Sequence, residues 1–422
     1  MSRRTVGPEP TIRHGRLPRS GALGTIARAL GAVVGVVAVS AVALVAVIGV
    51  DLNNQIAANS FVLGGSEPGT DANSAQYAGI GSIEGGVNLM VVGSDSRAGD
   101  NARFGSEPSA LNDVNILVHI SENHDNVVVV SFPRDLIVPL PSCPRSDGTY
   151  SGTSSATALN NAMYYGGLGT NAGDGMNCVV LTIENLTGLK IPYAAMIDFT
   201  GVIRMSDAVG GVDVCISGGD LYDPDSKVYP GGAPLSLTEG EHTVQGGEAL
   251  AYLRSRHGVG DGSDLGRISS QQAYLSSLIR KVKDPAENIL GNPARLYALG
   301  TAAVENMNLS TSLTGLDTLV ALAGILSEVD LDKIAFVQYP GSTGSSQFPG
   351  KVMPDYTVAA TLFDALKADQ AIAPGSAGVG ADHTDTVKDQ KGGGGGKKNR
   401  SETITGLTGQ LATDVSCSVA NN

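Results

Sequence analysis

The chain has 422 residues, enough for one large domain or two ordinary ones, and its 42% hydrophobic content suits a protein with a buried core. Trp is absent, aromatics make up 5% and Gly numbers 56, which favours a small-residue α/β core and argues against an aromatic stacking platform for nucleic acid. The net charge is −13; residues 1–28 hold six arginines against Glu9, a net +5, so the remainder is near −18 and repels polyanions in general.

In chain order, the basic segment 1–28 is followed by Ala29–Val50, 22 residues without a charge. At about 1.5 Å per residue this run reaches about 33 Å, against a hydrocarbon core of about 30 Å. Arginines before it and Asp51 after it predict a single transmembrane helix with the N-terminus cytoplasmic and the rest extracytoplasmic. A cleaved signal with a site at Ala57-Ala58 is the alternative, and it leaves the domain on the same side. Residues 51–84 read as a Gly/Ser/Asn/Ala-rich tether.

Strands are predicted at Val87–Val92, Val114–Ile120 and Val127–Phe132, short β-branched runs bounded by turn residues. Helical patterns follow at 156–166 and 176–187, a strand at 193–198, a helix at 199–209 and a strand at Val212–Ile216. The Gly/Pro/Asp-rich stretch 217–245 reads as a surface flap, and Gly246–His257 begins as a helix. Leu265–Lys283 is amphipathic, with Ile268, Leu275, Leu278, Ile279 and Val282 at helical spacing. Two helices over 294–328, a strand at 333–339 and a helix at 354–367 complete the pattern. The mixture predicts an α/β fold, an α-β-α layered domain with a central mixed sheet over 85–372. From 373 to 422 the composition is low in complexity and predicts a disordered tail, with Thr403–Val415 able to dock if Cys417 is bonded.

Cys143, Cys178, Cys215 and Cys417 contain no CxxC pair and, in an exported chain, read as two disulfides. Four cysteines allow three pairings. The expectation is Cys143–Cys178 and Cys215–Cys417, the second pinning the C-terminal segment.

Three segments carry chemistry. Gly93-Ser94-Asp95-Ser96-Arg97 follows a strand and Asp113 begins the next; carboxylates so placed suit a hard divalent cation such as Mg²⁺ bridging phosphate oxygens. Pro133-Arg134-Asp135 also follows a strand. The third runs from Tyr252-Leu253-Arg254-Ser255-Arg256 through a Gly-rich loop to Asp264, Arg267 and Gln271. Arg254 and Arg256 share a face if that stretch is extended. Arg267 and Gln271 share a face of the following helix, and Asp264 sits where its N-cap belongs. Arginine forks suit phosphate, so this cluster in an acidic chain predicts an anionic partner. The six histidines lack ligand spacing, and no GxSxG elbow is present.

Taken together, the stretches NLMVVGSDSR (88–97), DVNILVHI (113–120), VVVVSFPRDLIVPLP (127–141), LNNAMYYGG (159–167), AVGGVDV (208–214), LTEGEHTVQGGEALAYLRSR (237–256) and DLGRISSQQ (264–272) resemble the LytR-CpsA-Psr family of bacterial wall-assembly proteins. The resemblance covers roughly 85–285, in the family's order, and the cysteines in PSCPR and MNCVV look like those of actinobacterial members. It implies a membrane-anchored phosphotransferase that moves a glycopolymer phosphate from a polyprenyl-pyrophosphate carrier to peptidoglycan. By the same resemblance Asp95 and Asp113 bind Mg²⁺; Arg134, Arg254, Arg256 and Arg267 grip the pyrophosphate, helped by Gln271. Asp264 either orients an arginine or acts as a base, and the polyprenyl tail lies in an apolar tunnel within the core. Many members read Arg-Ser/Thr-Asp-Thr where this chain has Leu111-Asn112-Asp113-Val114, so one arginine contact is missing, for which Arg97 or Arg103 are the candidate replacements. A pyrophosphate-lipid-binding or regulatory protein without turnover, or a lipid pyrophosphatase, are the rival readings. The polymer (arabinogalactan, teichoic acid or capsule) is left open.

Overall fold

β-Branched runs become the middle of a nine-stranded sheet in the computed structural model, which describes residues 60–64, 85–95, 111–169, 171–229, 232–289, 292–383 and 402–421. The chain divides into Met1–Leu52 and Asn53–Asn422, and the fold lies in the second unit. The predicted membrane helix at 29–50 falls outside the described residues; among those described, no helix is long and apolar enough to cross a membrane.

The strands are β1 (Ser60–Phe61), β2 (Val87–Ser94), β3 (Asn112–Ile120), β4 (Val127–Phe132), β5 (Ile137–Leu140), β6 (Ser154–Ala158), β7 (Tyr193–Ile197), β8 (Val212–Ser217), β9 (Leu221–Lys227) and β10 (Pro234–Leu237). Then come β11 (Gly240–Val244), β12 (Met307–Ser310), β13 (Ile334–Gln338), β14 (Gly341–Ser342), β15 (Met353–Pro354), β16 (Ile372–Ser376), β17 (Ala381–His383), β18 (Glu402–Leu411) and β19 (Ser416–Val419). The helices are α1 (Asn161–Gly167), α2 (Ala172–Thr187), α3 (Phe199–Ala208), α4 (Gly246–Arg254), α5 (Asp264–Lys283), α6 (Pro293–Asn306), α7 (Leu316–Glu328) and α8 (Tyr356–Lys367).

The large sheet runs β1-β12-β7-β2-β3-β4-β13-β18-β16 and is mixed: β2 pairs parallel with β7 and antiparallel with β3, and β4 pairs parallel with β13. β4 is buried at all six positions, as its unbroken Val run requires of a central strand covered on both faces. Period-2 alternation sends Met90 and Val92 to one face, into a core with Met176, Val179 and Ile183 of α2 and Leu362, Phe363 and Leu366 of α8. The opposite face meets α3, α4 and α5. A second sheet, β11-β8-β19-β17, builds another core with α4 and α5 around Val212, Val214, Leu250's neighbour Ala251, and Tyr252.

Three expectations need correcting. The tether at 51–84 is not wholly outside the domain: β1 pairs with β12, and Leu63 is buried in the main core, because Phe61 and Leu63 are apolar residues with a surface to bury. The 217–245 stretch is not simply a flap; it forms β9, β10 and β11, two of which pair together while β11 joins the second sheet. The tail expected to be disordered from 373 supplies β16 to β19. Ile404 and Leu407 enter the main core, and β18 pairs with both β13 and β16. The cysteines pair as expected, Cys143 with Cys178 and Cys215 with Cys417, and the second bond joins parallel neighbours β8 and β19.

Candidate functional site

The site forms where β4 and α4 end and β3 and α5 begin. A register shift between Gly93 and Ser94 in the β2–β3 pairing is a bulge, and beside it both Asp113 and Val114 line one cavity. Bulges commonly re-aim a side chain in this way. The cavity measures about 340 Å³ and runs beneath the sheet between Val91, Ile116, Ile197, Phe199, Leu250, Leu253, Leu275, Leu278 and Val282. Its wall is mostly apolar; the polar residues include Ser94, Asp113, Arg254, Arg267 and Gln271, with Asp198 and Ser206 also in the lining. An apolar chamber with a few converging polar groups is the usual form of a ligand site.

Arg134 is the hub of the charged groups. Its Nη1 donates to both oxygens of Asp113 at 3.1 Å, its Nε lies 3.8 Å from Asp264 Oδ1 and 3.9 Å from Asp135 Oδ2, and its backbone N–H donates to Asp264 Oδ2 at 2.7 Å. Burial opposes the charge on Arg134, but Asp113, Asp264 and Asp135 together outweigh it and hold its pKa above the ordinary value. Arg267 Nη2 donates to the Asp113 carbonyl at 2.8 Å and pairs with Asp264 Oδ1 at 2.6 Å, both side chains being nearly inaccessible. The Nε of Arg134 and of Arg267 are buried without a hydrogen-bond partner. Two unsatisfied cationic donors at the mouth of an apolar cavity are suited to anionic oxygens.

Arg267 and Gln271 share a helix face as predicted, and Gln271 Nε2 donates to Leu253 O at 2.9 Å, which ties α5 to the end of α4. The predicted cap is displaced by one residue: Ser263 caps α5 and accepts from Gly266 N–H, while Asp264 opens the helix. The Asp264 carboxylate is thereby free to pair with Arg134 and Arg267. The preceding loop needs a left-handed residue at Gly260, with φ +58°, where a Cβ would also press on Gly266 and Gly380.

Arg254 and Arg256 do not share a strand face. Arg254 ends α4 and its guanidinium lies 4.4 Å above the Phe199 ring at the cavity, a cation–π contact. Past the turn at Ser255, Arg256 points elsewhere: Nε donates to Gly262 O at 3.1 Å and Nη1 is 3.7 Å from Asp135 Oδ2. The turn is held by Asp223 of β9, whose Oδ2 accepts from Ser255 Oγ, Arg256 N–H and Gly258 N–H. Burial pushes the Asp223 pKa up, but these bonds and one from Asp225 N–H outweigh it and lower the value.

Sequence reasoning assigned no role to Asp223, Phe199 or Lys351, and left Asp135 as a motif neighbour. Lys351 Nζ pairs with Asp135 Oδ1, bringing a fifth cation to the cluster from a segment with no motif of its own. Only the local arrangement of a loop returning 216 residues later produces this contact.

Asp95 closes the neck of the β2–β3 connection: its Oδ1 accepts from Leu111 N–H at 2.7 Å and its own N–H donates to Leu111 O. Ser94 pairs with Asn112, so Asp95 and Asp113 stand at adjacent strand ends. Carboxylate oxygens are the donors Mg²⁺ prefers, and a carboxylate has about four lone-pair sites, so the single Arg134 nitrogen on Asp113 leaves capacity for a cation. Asp95 and Asp113 are therefore the candidate oxygen donors for such an ion. Arg97 and Arg103 lie outside the described residues. Asn112 supports the site from behind: its Oδ1 accepts from Met163 N–H and its Nδ2 donates to Asn115 Oδ1 and Leu159 O. A different cluster, buried Asp223 with exposed Asp225 and His257, lies beside the arginine turn. Asp223 already accepts five hydrogen bonds there, and His257 Nδ1 lies 2.8 Å from Asp225 Oδ2.

The cell wall biosynthesis protein LcpA of Corynebacterium glutamicum is 28% identical over 270 residues, 60% of this chain and 48% of LcpA. The polyisoprenyl-teichoic acid–peptidoglycan teichoic acid transferase TagT of Bacillus subtilis is 26% identical over 46% of this chain and 52% of its own. The chain thus spans about half the length of these relatives. The crystal structure of B. subtilis TagV superposes with a TM-score of 0.50 at 25% identity, over 68% of this chain and 97% of TagV. Residues 57–370 match the LytR_cpsA_psr family throughout, and the chain belongs to that family.

Proposed function

We propose that the protein is a cell-wall glycopolymer transferase, which moves a glycopolymer phosphate from a polyprenyl-pyrophosphate carrier to a hydroxyl of peptidoglycan. The observation that carries this reading is the junction of two environments: an apolar cavity that suits a prenyl chain is lined at its polar end by Arg254, Arg267 and Gln271, with Arg134 paired to Asp113 and Arg256 to Asp135 beside it. In the proposed reaction the acceptor oxygen bonds to the sugar-linked phosphorus and the bond from that phosphorus to the bridging oxygen breaks. Lipid monophosphate leaves, and the hydroxyl proton balances it in the net equation. Arg134, Arg254, Arg256 and Arg267 counter the charge that builds on the phosphate oxygens, so their contribution is electrostatic and largest in the transition state. Asp264 holds Arg134 and Arg267 in place beforehand. Mg²⁺ bound by Asp95 and Asp113 would add neutralising charge on the same oxygens.

The relatives' names support the substrate class, and the basic flank with the apolar run 29–50 supports a single-pass membrane protein with this domain extracytoplasmic. Such an anchor keeps the site where a lipid-borne substrate resides. The test is prenyl-pyrophosphate turnover by the full chain in detergent, with and without Mg²⁺, beside Arg267→Ala. Mg²⁺-dependent cleavage that falls by about 100-fold or more in the variant is expected from loss of one charge-stabilising donor. Binding without cleavage would replace this reading with a lipid-binding role, and cleavage indifferent to peptidoglycan acceptor would replace it with a pyrophosphatase.

A further inference from the structure

The cations at the mouth are graded by exposure. Side-chain exposure rises from 6% at Arg267 through 23% at Arg134 and 32% at Arg256 to 37% at Lys351. The buried end of this series adjoins the apolar cavity and the other end meets solvent. Lys351 is held on a fixed backbone. Its N–H donates to Phe348 O at 3.2 Å, and the adjoining Val352, 1% exposed, bonds to Asp135 O at 3.0 Å and to Ile137 N–H at 2.9 Å.

Around buried Asp135, Lys351 Nζ lies 2.5 Å from one oxygen, while Arg256 Nη1 and Arg134 Nε lie 3.7 and 3.9 Å from the other. One cation would neutralise this carboxylate, yet three converge on it. Counting Arg267 with them, four cations face Asp113, Asp135 and Asp264. Like charges this close favour a further anion among them. Burial by an acyl or prenyl chain cannot satisfy that requirement at the exposed end; a second phosphate can.

We propose that Lys351, together with Arg256, binds the outer, sugar-side phosphate and so makes the site distinguish a lipid diphosphate from a lipid monophosphate. This rests on the transferase reading above. When the bond between the two phosphates breaks, the outer phosphate departs with the acceptor sugar. Lipid monophosphate then keeps its contacts at the buried end and loses those at Lys351 and Arg256, so product is held less tightly than substrate and leaves the cavity.

The experiment measures binding of farnesyl pyrophosphate and farnesyl monophosphate to the full chain in detergent, for the unmodified protein, Lys351→Met and Lys351→Arg. Lys351→Met should weaken the pyrophosphate lipid about tenfold, as expected for one lost charged contact, and leave the monophosphate lipid within about twofold. Lys351→Arg should recover most of the loss, which a change in side-chain packing alone would not predict. Equal weakening of both lipids, or no weakening, would overturn the proposal, the first by reducing Lys351 to a support for Asp135. If the unmodified chain binds both lipids with equal strength, this inference fails while the transferase reading stands; if it binds neither, the transferase reading fails first.

Discussion

On one face of the central sheet Met90, Val92, Leu117 and Val130 are completely buried, and the rings of Phe132, Tyr339 and Phe363 close the space with centroids 5.3 to 6.3 Å apart. On the other, the alternate residues Val91 and Ile116 of the same strands look into an open cavity beside α3 and α5. The strands are apolar in both directions, and more so toward the cavity, since Asn88, Asn115 and His119 fall on the closed face, so the difference lies in what the helices bring. On the closed face they supply aromatic and branched side chains that interdigitate. On the open face Val202, Leu275, Leu278 and Val282 line the space without filling it. An unfilled apolar volume is a loss to the folded state alone, because its walls forgo dispersion contacts. A ligand with an apolar chain recovers that loss, which gives the open face its use.

Matched substitutions separate the two faces. Leu117→Ala, at a position with no exposure, should lower unfolding free energy by about 2–5 kcal/mol in urea titrations. Leu278→Ala on the cavity wall should cost about 1 kcal/mol, since that side chain is only partly buried and borders the cavity. Equal losses would mean that the cavity is filled in the native protein and that the contrast is false. A filling substitution sharpens the same point: Leu278→Trp should weaken prenyl-pyrophosphate binding about tenfold with stability changed by less than about 1.5 kcal/mol, read by titration and thermal melting together.

The smallest effect concerns the mouth. Asp223 has a folded-state pKa below its unfolded value, so its contribution to stability is present above about pH 4 and is lost as pH falls through the folded value. Asp223→Asn should flatten the fall in stability on acidification below about pH 4, measured by urea unfolding at a series of acidic pH values. A slope unchanged by the substitution would remove Asp223 as the holder of the arginine turn.

Much of this was readable before any coordinates. β4 is the run Val127–Phe132 without adjustment, because four consecutive valines bounded by turn residues have few other uses. Arg267 and Gln271 were placed correctly since helical spacing is local information. Arg254 and Arg256 were misjudged because the helix continues to Arg254 and the turn after it is set by Asp223, about 30 residues earlier in the chain. Lys351 has no signal because its partner lies far away in sequence, which neither composition nor periodicity encodes; the tail reads as disordered by composition, yet the expected Cys215–Cys417 bond and the docking of 403–415 tied to it are both present.

The place of β18 has a consequence for how the protein is made. It lies between β13 and β16, so β16, although synthesised earlier, has no neighbour in the sheet until residues 402–411 arrive. Until then β13 presents an unpaired edge, open to the wrong strand or to another chain. The nascent chain therefore remains unsealed until almost its last described segment has emerged. A message or a protease that removes about 20 residues there would cost a sheet its closure and leave a sticky intermediate for quality control to find.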